Sequence, residues 1–244
     1  MNALNYCKDR YRKVKGFNLN LEHPQHFTEK IQWKKFYDHD PRYTVTSDKL
    51  AIYDWLKERT DLTPPKLLSV DTPPTEKRWI AKATHGSGWN MRHDGYSQRK
   101  ADGWLKERYA PYAGEWGYEN IEPHIVFQEF IDDIMDVKFF VFKHKIGCIH
   151  HMTYNPYRSN IYTPEWEPID VFFVFEQGPV IPKPPHFDQM VQYAEQLGEF
   201  DFARIDFMVT PETLYLSEIT HYPTSGFQVI RPLEFDLHLG TLWT

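Results

Sequence analysis

The chain has 244 residues, 41% hydrophobic and 16% aromatic, with a net charge of −6 and a pI near 6.0. That length fits one large domain or two small ones around a sizeable core, and the acidic balance excludes a general nucleic-acid binder while leaving room for a local basic pocket. Cys7 and Cys148 make neither a disulfide framework nor a zinc site and point to a reducing compartment; the polar, basic start is not a secretory signal and no run approaches the ~20 apolar residues of a membrane span, so the expected location is cytoplasmic.

In chain order, residues 1–46 read as a polar, aromatic, loop-rich extension with a helix over Thr28–Tyr37. Ser47 is placed to cap a helix from Asp48 to about Arg59, with Ile52, Trp55 and Leu56 on one side. Lys49 then falls in the first helical turn, where the macrodipole disfavours a cation, a misfit that hints at a task outside the helix; a solvated lysine fits as well. Trp79–Thr84 reads as a strand ending at His85-Gly86-Ser87-Gly88, and Gln98–Tyr109 as a helix. Ile125–Phe130 and Val137–Phe142 are strand-like runs separated by Asp132-Asp133. A turn at Lys143-His144-Lys145 leads to a strand over Ile146–Thr153, and Val171–Phe175 is a further apolar run. Helical spacing of Phe187, Met190, Val191, Ala194 and Leu197 predicts a helix over 186–199. Paired strands over Ala203–Val209 and Tyr215–Thr220 close the series, and the order of elements indicates an α+β fold.

The last strand pair carries charge where apolar residues are expected. Ala203, Ile205, Phe207 and Val209 share one face of the first strand; Arg204 and Asp206 take the other. On the second strand, Leu214, Leu216, Glu218 and Thr220 are expected on one face. A loop at Pro211-Glu212-Thr213 sets Thr210 opposite Leu214 and Asp206 opposite Glu218. Opposed carboxylates repel. A cation between them removes that cost, and two hard oxygen ligands suit Mg²⁺ bound together with substrate phosphates. A solvated hairpin face is the alternative.

Other segments are suggestive when taken together. Lys82 lies on a strand just before the Gly/Ser loop, whose backbone N–H groups can fold over phosphate oxygens. The segment is not a Walker A loop, and a strand-edge lysine before an ordinary turn reads the same way. Gln128-Glu129-Phe130-Ile131 ends an apolar strand and can offer backbone donors and acceptors to a flat heterocycle; a core strand with an exposed end is the plainer reading. Arg158 lies in a polar, aromatic loop, where a guanidinium suits carboxylate or phosphate recognition or is simply exposed. His150 and His151 point to opposite strand faces and cannot chelate one metal together.

The order of these segments resembles the ATP-grasp superfamily and, more closely, the TupA-like ATP-grasp family, named for teichuronopeptide biosynthesis. The carrying segments are Tyr11-Arg12-Lys13, Phe27–Trp33, Ser47-Asp48-Lys49, Lys82–Asn90, Lys138-Phe139-Phe140, Arg204-Ile205-Asp206, Glu218-Ile219-Thr220 and Ser225-Gly226. The resemblance implies two small α+β subdomains gripping ATP, over residues 47–130 and 131–244, after an extension over 1–46 that is too short for the usual N-terminal substrate domain. It implies that Lys49 and Lys82 hold the ATP phosphates, that His85, Gly86, Ser87 and Gly88 form the loop over them, and that Gln128, Glu129, Phe130 and Ile131 are the hinge against adenine. Lys138 would face the nucleotide, Asp206 and Glu218 would ligate Mg²⁺, and Arg204 would stabilise the transferring phosphoryl group. Thr220 stands where the superfamily usually places Asn, as a third metal ligand. Arg158, Ser225 and Gly226 would contact the acceptor substrate.

The implied reaction is an ATP- and Mg²⁺-dependent carboxylate–amine ligation through an acyl phosphate, joining an amino acid or peptide to a uronic-acid carboxylate of a bacterial surface polysaccharide. Two alternatives share the nucleotide site: a kinase of a sugar hydroxyl, and a nucleotide-binding component of polysaccharide assembly without turnover.

Overall fold

Alternating strands assemble into two antiparallel sheets. The protein is described here by a computed structural model that covers residues 2–109 and 113–244. The strands are β1 (Leu67–Val70), β2 (Trp79–Ala83), β3 (Asn90–Arg92), β4 (Ile125–Glu129), β5 (Met135–Phe142), β6 (Lys145–Tyr154), β7 (Tyr157–Tyr162), β8 (Pro168–Ile169), β9 (Phe172–Phe173), β10 (Ala203–Val209), β11 (Leu214–Thr220) and β12 (Ile230–Arg231). The helices are α1 (Ala3–Lys15), α2 (Phe27–Tyr37), α3 (Arg42–Ser47), α4 (Ile52–Lys57), α5 (Gln98–Trp104), α6 (Phe187–Leu197) and α7 (Leu233–Leu242). The smaller sheet runs β1-β4-β2-β3 and the larger β11-β10-β5-β6-β7-β8, while β9 and β12 form a separate ribbon. Among the described residues no helix is long and apolar enough to cross a membrane.

Period-two alternation explains how one strand serves both a core and a cleft. On β5, Val137, Phe139 and Val141 pack with Met190, Ala194 and Leu197 of α6. Asp136, Lys138, Phe140 and Phe142 occupy the opposite face. The apolar end of that face is covered by Phe27 and Ile31 of α2 and Leu239 of α7; its charged end opens into a cleft. In the smaller sheet, Trp79, Ala81 and Phe127 pack against Ala101 and Trp104 of α5, which turns Ile80, Lys82 and Gln128 toward the same cleft.

The extension is more ordered than its composition suggests. Asn2 caps α1 by accepting from Asn5 N–H at 2.9 Å, and Gly16, at φ 82°, ends it after Arg12, Lys13 and Lys15. Lys15 pairs with the buried Asp236 of α7 at 2.8 Å, and Asp236 also accepts from the Thr28 N–H and hydroxyl.

The region around Lys49 differs from expectation. Ser47 ends α3 instead of capping a helix over 48–59, and α4 begins only at Ile52. Asp48 captures the Leu50 N–H at 2.8 Å, a side-chain turn that competes with helix. Lys49 therefore sits in a turn, and the macrodipole argument about it does not apply. The boundary expected at 46/47 falls inside α3, and Tyr43, Ile52, Trp55 and Leu56 pack into the core of the larger sheet.

Candidate functional site

The β10–β11 hairpin pairs Asp206 with Glu218, but by a different route from the one expected. Val209, not Thr210, lies opposite Leu214, so the turn is one residue tighter. A β-bulge between Asp206 and Phe207 leaves Ser217 as the extra residue on β11 and restores the Asp206–Glu218 match. Leu216 and Glu218 thus do not share a face. Leu216 and Ile219 are buried in the core, while Glu218 and Thr220 turn to the cleft and bond each other at 2.8 Å.

The carboxylates are not left to repel each other. Asp206, 2% exposed, accepts a bidentate pair from Arg204 at 2.7 and 2.6 Å and a third bond from Lys138 at 3.2 Å. Burial alone would raise its carboxyl; the Arg204 guanidinium and the Lys138 ammonium reverse that and hold it below the ordinary carboxylate range. Lys138 is also bonded to both oxygens of Asp136 at 2.7 Å, and the Tyr154 hydroxyl donates to Asp136. Burial lowers the Lys138 ammonium, but Asp206 and Asp136 outweigh it and hold it above its ordinary value. Arg204 reaches across to the Thr220 hydroxyl at 3.2 Å.

Facing this wall are Lys49 and Lys82, which with Gly88, Arg204, Asp206 and Glu218 line one cleft of about 590 Å³, a size suited to a small-molecule ligand. The Lys82 ammonium is drawn down to about 8 by burial and then by Lys49, with Glu218 partly opposing. Burial likewise lowers Lys49, whose ammonium donates to the Gly86 carbonyl at 2.5 Å. Two ammonium groups lowered by burial, one of them also by the other, form at one end of the cleft a receptor for an anion.

A second hollow of about 360 Å³ adjoins the cleft and is lined by Gln128, Glu129, Phe130 and Ile131 together with Ile80 and Met208. Gln128 donates to the Tyr53 hydroxyl at 2.6 Å, while its amide oxygen is buried without a partner among the described residues. That orphaned acceptor fits a donor such as the exocyclic amine of a heterocycle. Glu129 accepts from Lys66 N–H at 2.8 Å, and the guanidinium groups of Arg92 and Arg78 lie 4.6 and 5.5 Å from the Phe130 ring.

Four expected site residues, Arg158, Ser225, Gly226 and His85, do not line that cleft. Arg158 is exposed on β7, a strand and not a loop, outside the cleft lining. Ser225 and Gly226 lie in a left-handed turn, with φ at 50°, 55° and 72° over Thr224, Ser225 and Gly226. Gln32 and Lys35 of α2 hold the Ser225 carbonyl at 2.9 and 3.0 Å, and a Cβ on Gly226 would lie 2.8 Å from Gln32 and Ile31. His85 is buried, with Nε2 2.9 Å from the Trp104 carbonyl.

Sequence reasoning missed Asp136, Tyr53, Tyr118 and Glu115. Asp136 had a signal, since it shares a face with Lys138 two residues on. Glu115, 8% exposed, had none. Its carboxyl is pushed up to about 6 by burial, with Lys35 and the Ser225 hydroxyl partly offsetting the rise. An acid raised in this way contributes stability that is full below its unfolded value near 4.3 and lost as pH rises through about 6. The expected result is that Glu115→Gln raises Tm by roughly 4–8 °C at pH 8, about 2 kcal/mol, and changes it little at pH 4. A lower Tm at pH 8 in calorimetric scans would count against a charged, strained Glu115.

Asp206 and Glu218 fit a hard divalent cation held jointly with phosphates. Among the described residues no group of three or more His, Cys, Asp or Glu side chains is arranged to hold a metal by itself, and Mg²⁺ is ordinarily held by one or two carboxylates together with waters and substrate phosphates.

Solved structures give distant likenesses. The D-alanine–D-alanine ligase of Helicobacter pylori is 14% identical, with 89% of this chain and 69% of that chain covered and a TM-score of 0.49. The Bacillus anthracis D-alanine–D-alanine ligase complexed with ATP is 15% identical, with 72% of this chain and 55% of that chain covered and a TM-score of 0.43. The ATP-grasp ligase PsnB, complexed with a minimal precursor, Mg and ADP, is 16% identical, with 74% and 52% covered and a TM-score of 0.42. This chain thus spans about half the length of the Bacillus anthracis ligase, and at such distances none of the three bears on its activity. No curated protein matches it in sequence. A family model does: the cleft-lining residues from Lys49 to Glu218 all fall within the match of TupA-like ATPgrasp to residues 29–244, and the chain belongs to that family.

Proposed function

We propose that the protein is an ATP- and Mg²⁺-dependent carboxylate–amine ligase working through an acyl phosphate. The observation that carries this reading is the convergence of Lys49 and Lys82 on one wall, and Arg204, Asp206 and Glu218 on the other, around a single cleft. Phosphoryl transfer needs charge neutralised on the equatorial oxygens with little covalent help, and this cleft concentrates the groups that do so. Gln128 to Ile131 would receive the base, and Lys49, Lys82 and the Gly86–Gly88 loop the phosphates. Lys49 would exchange the Gly86 carbonyl for a phosphate oxygen. Mg²⁺ would be held by Asp206 and Glu218 and would supply further neutralisation of phosphate charge. Arg204, parked on Asp206, can turn its guanidinium to the transferring group.

The carboxylate oxygen takes the γ-phosphoryl group, ADP leaves, and an amine displaces phosphate to give the amide. The family's name sets the proposed context, a uronic acid of a bacterial surface polysaccharide joined to an amino acid or peptide in the cytoplasm. Incubation with ATP, Mg²⁺, glucuronate and hydroxylamine is expected to give a hydroxamate that depends on both ATP and the uronate. ADP release without hydroxamate would favour phosphorylation of a hydroxyl, because only an acyl phosphate is trapped this way.

A further inference from the structure

Beside the Gly86–Gly88 loop lies a separate cavity of about 280 Å³, lined by His85, Arg108, Tyr109, Glu115 and Tyr118 among others. Two of its buried polar groups, Glu115 and His85, present acceptors. Glu115 is more than nine-tenths buried and makes no ion pair among the described residues. His85 faces the Trp104 carbonyl with Nε2, and a carbonyl only accepts, so the ring proton is on Nε2. Nδ1 then carries a bare lone pair, and it is buried without a partner among the described residues. Tyr109 and Tyr118, with ring centroids 4.9 Å apart, add π faces. A carboxylate, an imidazole lone pair and two aromatic rings together suit a ligand that is cationic and rich in N–H donors, a primary ammonium. On the rim, the exposed Arg108 makes no ion pair among the described residues and offers the opposite charge.

The cavity abuts the cleft. Glu218 acts electrostatically on Tyr109, Tyr118 and Glu115, the Lys49 ammonium lies 5.9 Å from the Tyr118 ring, and the Ser225 hydroxyl bonds Glu115.

We propose that this cavity seats the amine substrate as a free α-amino acid, its ammonium between Glu115 and His85 and its carboxylate at Arg108. The proposal rests on the ligase reading for its chemistry but not for its binding. Glu115 takes one proton from the ammonium and exposes the nitrogen lone pair. The nitrogen attacks the acyl carbon, the C–N bond forms as the C–O bond to phosphorus breaks, and the second proton leaves with inorganic phosphate. Glu115 is then both the binding partner of the amine and its general base.

The test compares amide with hydroxamate yield, using ATP, Mg²⁺, glucuronate and equimolar L-alanine and hydroxylamine. Hydroxylamine is largely uncharged at pH 7 and has no carboxylate, so it needs neither Glu115 nor Arg108. Glu115→Gln is expected to lower the amide-to-hydroxamate ratio by roughly 30-fold or more, and Arg108→Ala to raise the KM for alanine about tenfold while sparing that for ethylamine. Binding is read independently by saturation-transfer NMR with ethylammonium chloride, where a signal in the wild type that is lost in Glu115→Gln is expected. An unchanged product ratio, or an ethylammonium signal that survives the substitution, overturns the proposal. If the wild type gives no hydroxamate, the ligase reading falls, and the ethylammonium experiment still decides the cavity.

Discussion

Glu218→Gln should lower the rate of ADP formation by roughly 10²–10³ while leaving thermal stability nearly unchanged, whereas Asp206→Asn should do both kinds of damage. The two carboxylates pair across one hairpin but are held differently. Among the described residues Glu218 accepts a hydrogen bond only from Thr220 and makes no ion pair, so its loss breaks no direct charge contact, although Lys49 and Lys82 lose a nearby counter-charge. Asp206 anchors Arg204 and Lys138 in a buried network. Neutralising it leaves two cations short of their counter-charge, at a cost of about 3 kcal/mol, which is roughly 6–12 °C in Tm for a chain of this size. Asp136 still holds Lys138, which keeps the loss at the lower end. The sign of the pH dependence follows from the depressed Asp206 carboxyl. Its stabilisation is present above the unfolded value near 3.9 and is lost as pH falls through the lower folded value. The gap between wild type and Asp206→Asn should therefore stay constant from pH 5 to 8 and close only in stronger acid. Steady-state ADP release and thermal scans on both variants decide the matter; equal Tm losses would mean that Glu218 is structural as well.

Lys82→Met should weaken ATP binding by roughly 30–100-fold, equivalent to about 2–3 kcal/mol for a charge-assisted contact. Its ammonium already sits near 8 because burial and Lys49 disfavour the charge. An arriving triphosphate reverses that balance and draws a proton onto Lys82. Affinity in the wild type should be fullest below about pH 8 and fall above it, with proton uptake visible as a buffer-dependent binding enthalpy near pH 8.5. Lys49 is lowered too, so the limb belongs to Lys82 only if Lys82→Met abolishes it. Unchanged affinity by titration calorimetry would remove Lys82 from the site.

The parts of the site legible in the sequence rest on short-range alternation. Arg204 and Asp206 had to share a face, and Lys82 had to oppose Ala81 and Ala83, whatever the tertiary structure. The helix over 186–199 was equally plain, because its apolar stripe needs a core, and it appears as Phe187–Leu197. What stayed hidden depends on distant partners or on local competition. Strand β7 looked like a loop because exposed Tyr157 and Arg158 precede its buried half. The expected helix at 48 gave way to an Asp48 side-chain turn. Glu115 gains its meaning from Lys35, Ser225 and Glu218, all far away in sequence.

The extra residue at Ser217 has a consequence for how this strand can change. A β-strand is an alternating message with only two phases, and a bulge is a phase slip within it. Up to Leu216 the even positions send aliphatic side chains inward; past Ser217 the inward phase moves to the odd Ile219, and Glu218 and Thr220 are released toward the opposite side. Flattening the bulge with Ser217 kept would restore a single phase and drive Glu218 into oil, whereas losing Ser217 and the bulge together would leave Leu216 and Ile219 inward and Glu218 opposite Asp206. The acidic partner of Asp206 is therefore secured by the extra residue and the slip together: either one lost without the other puts the wrong side chain inward.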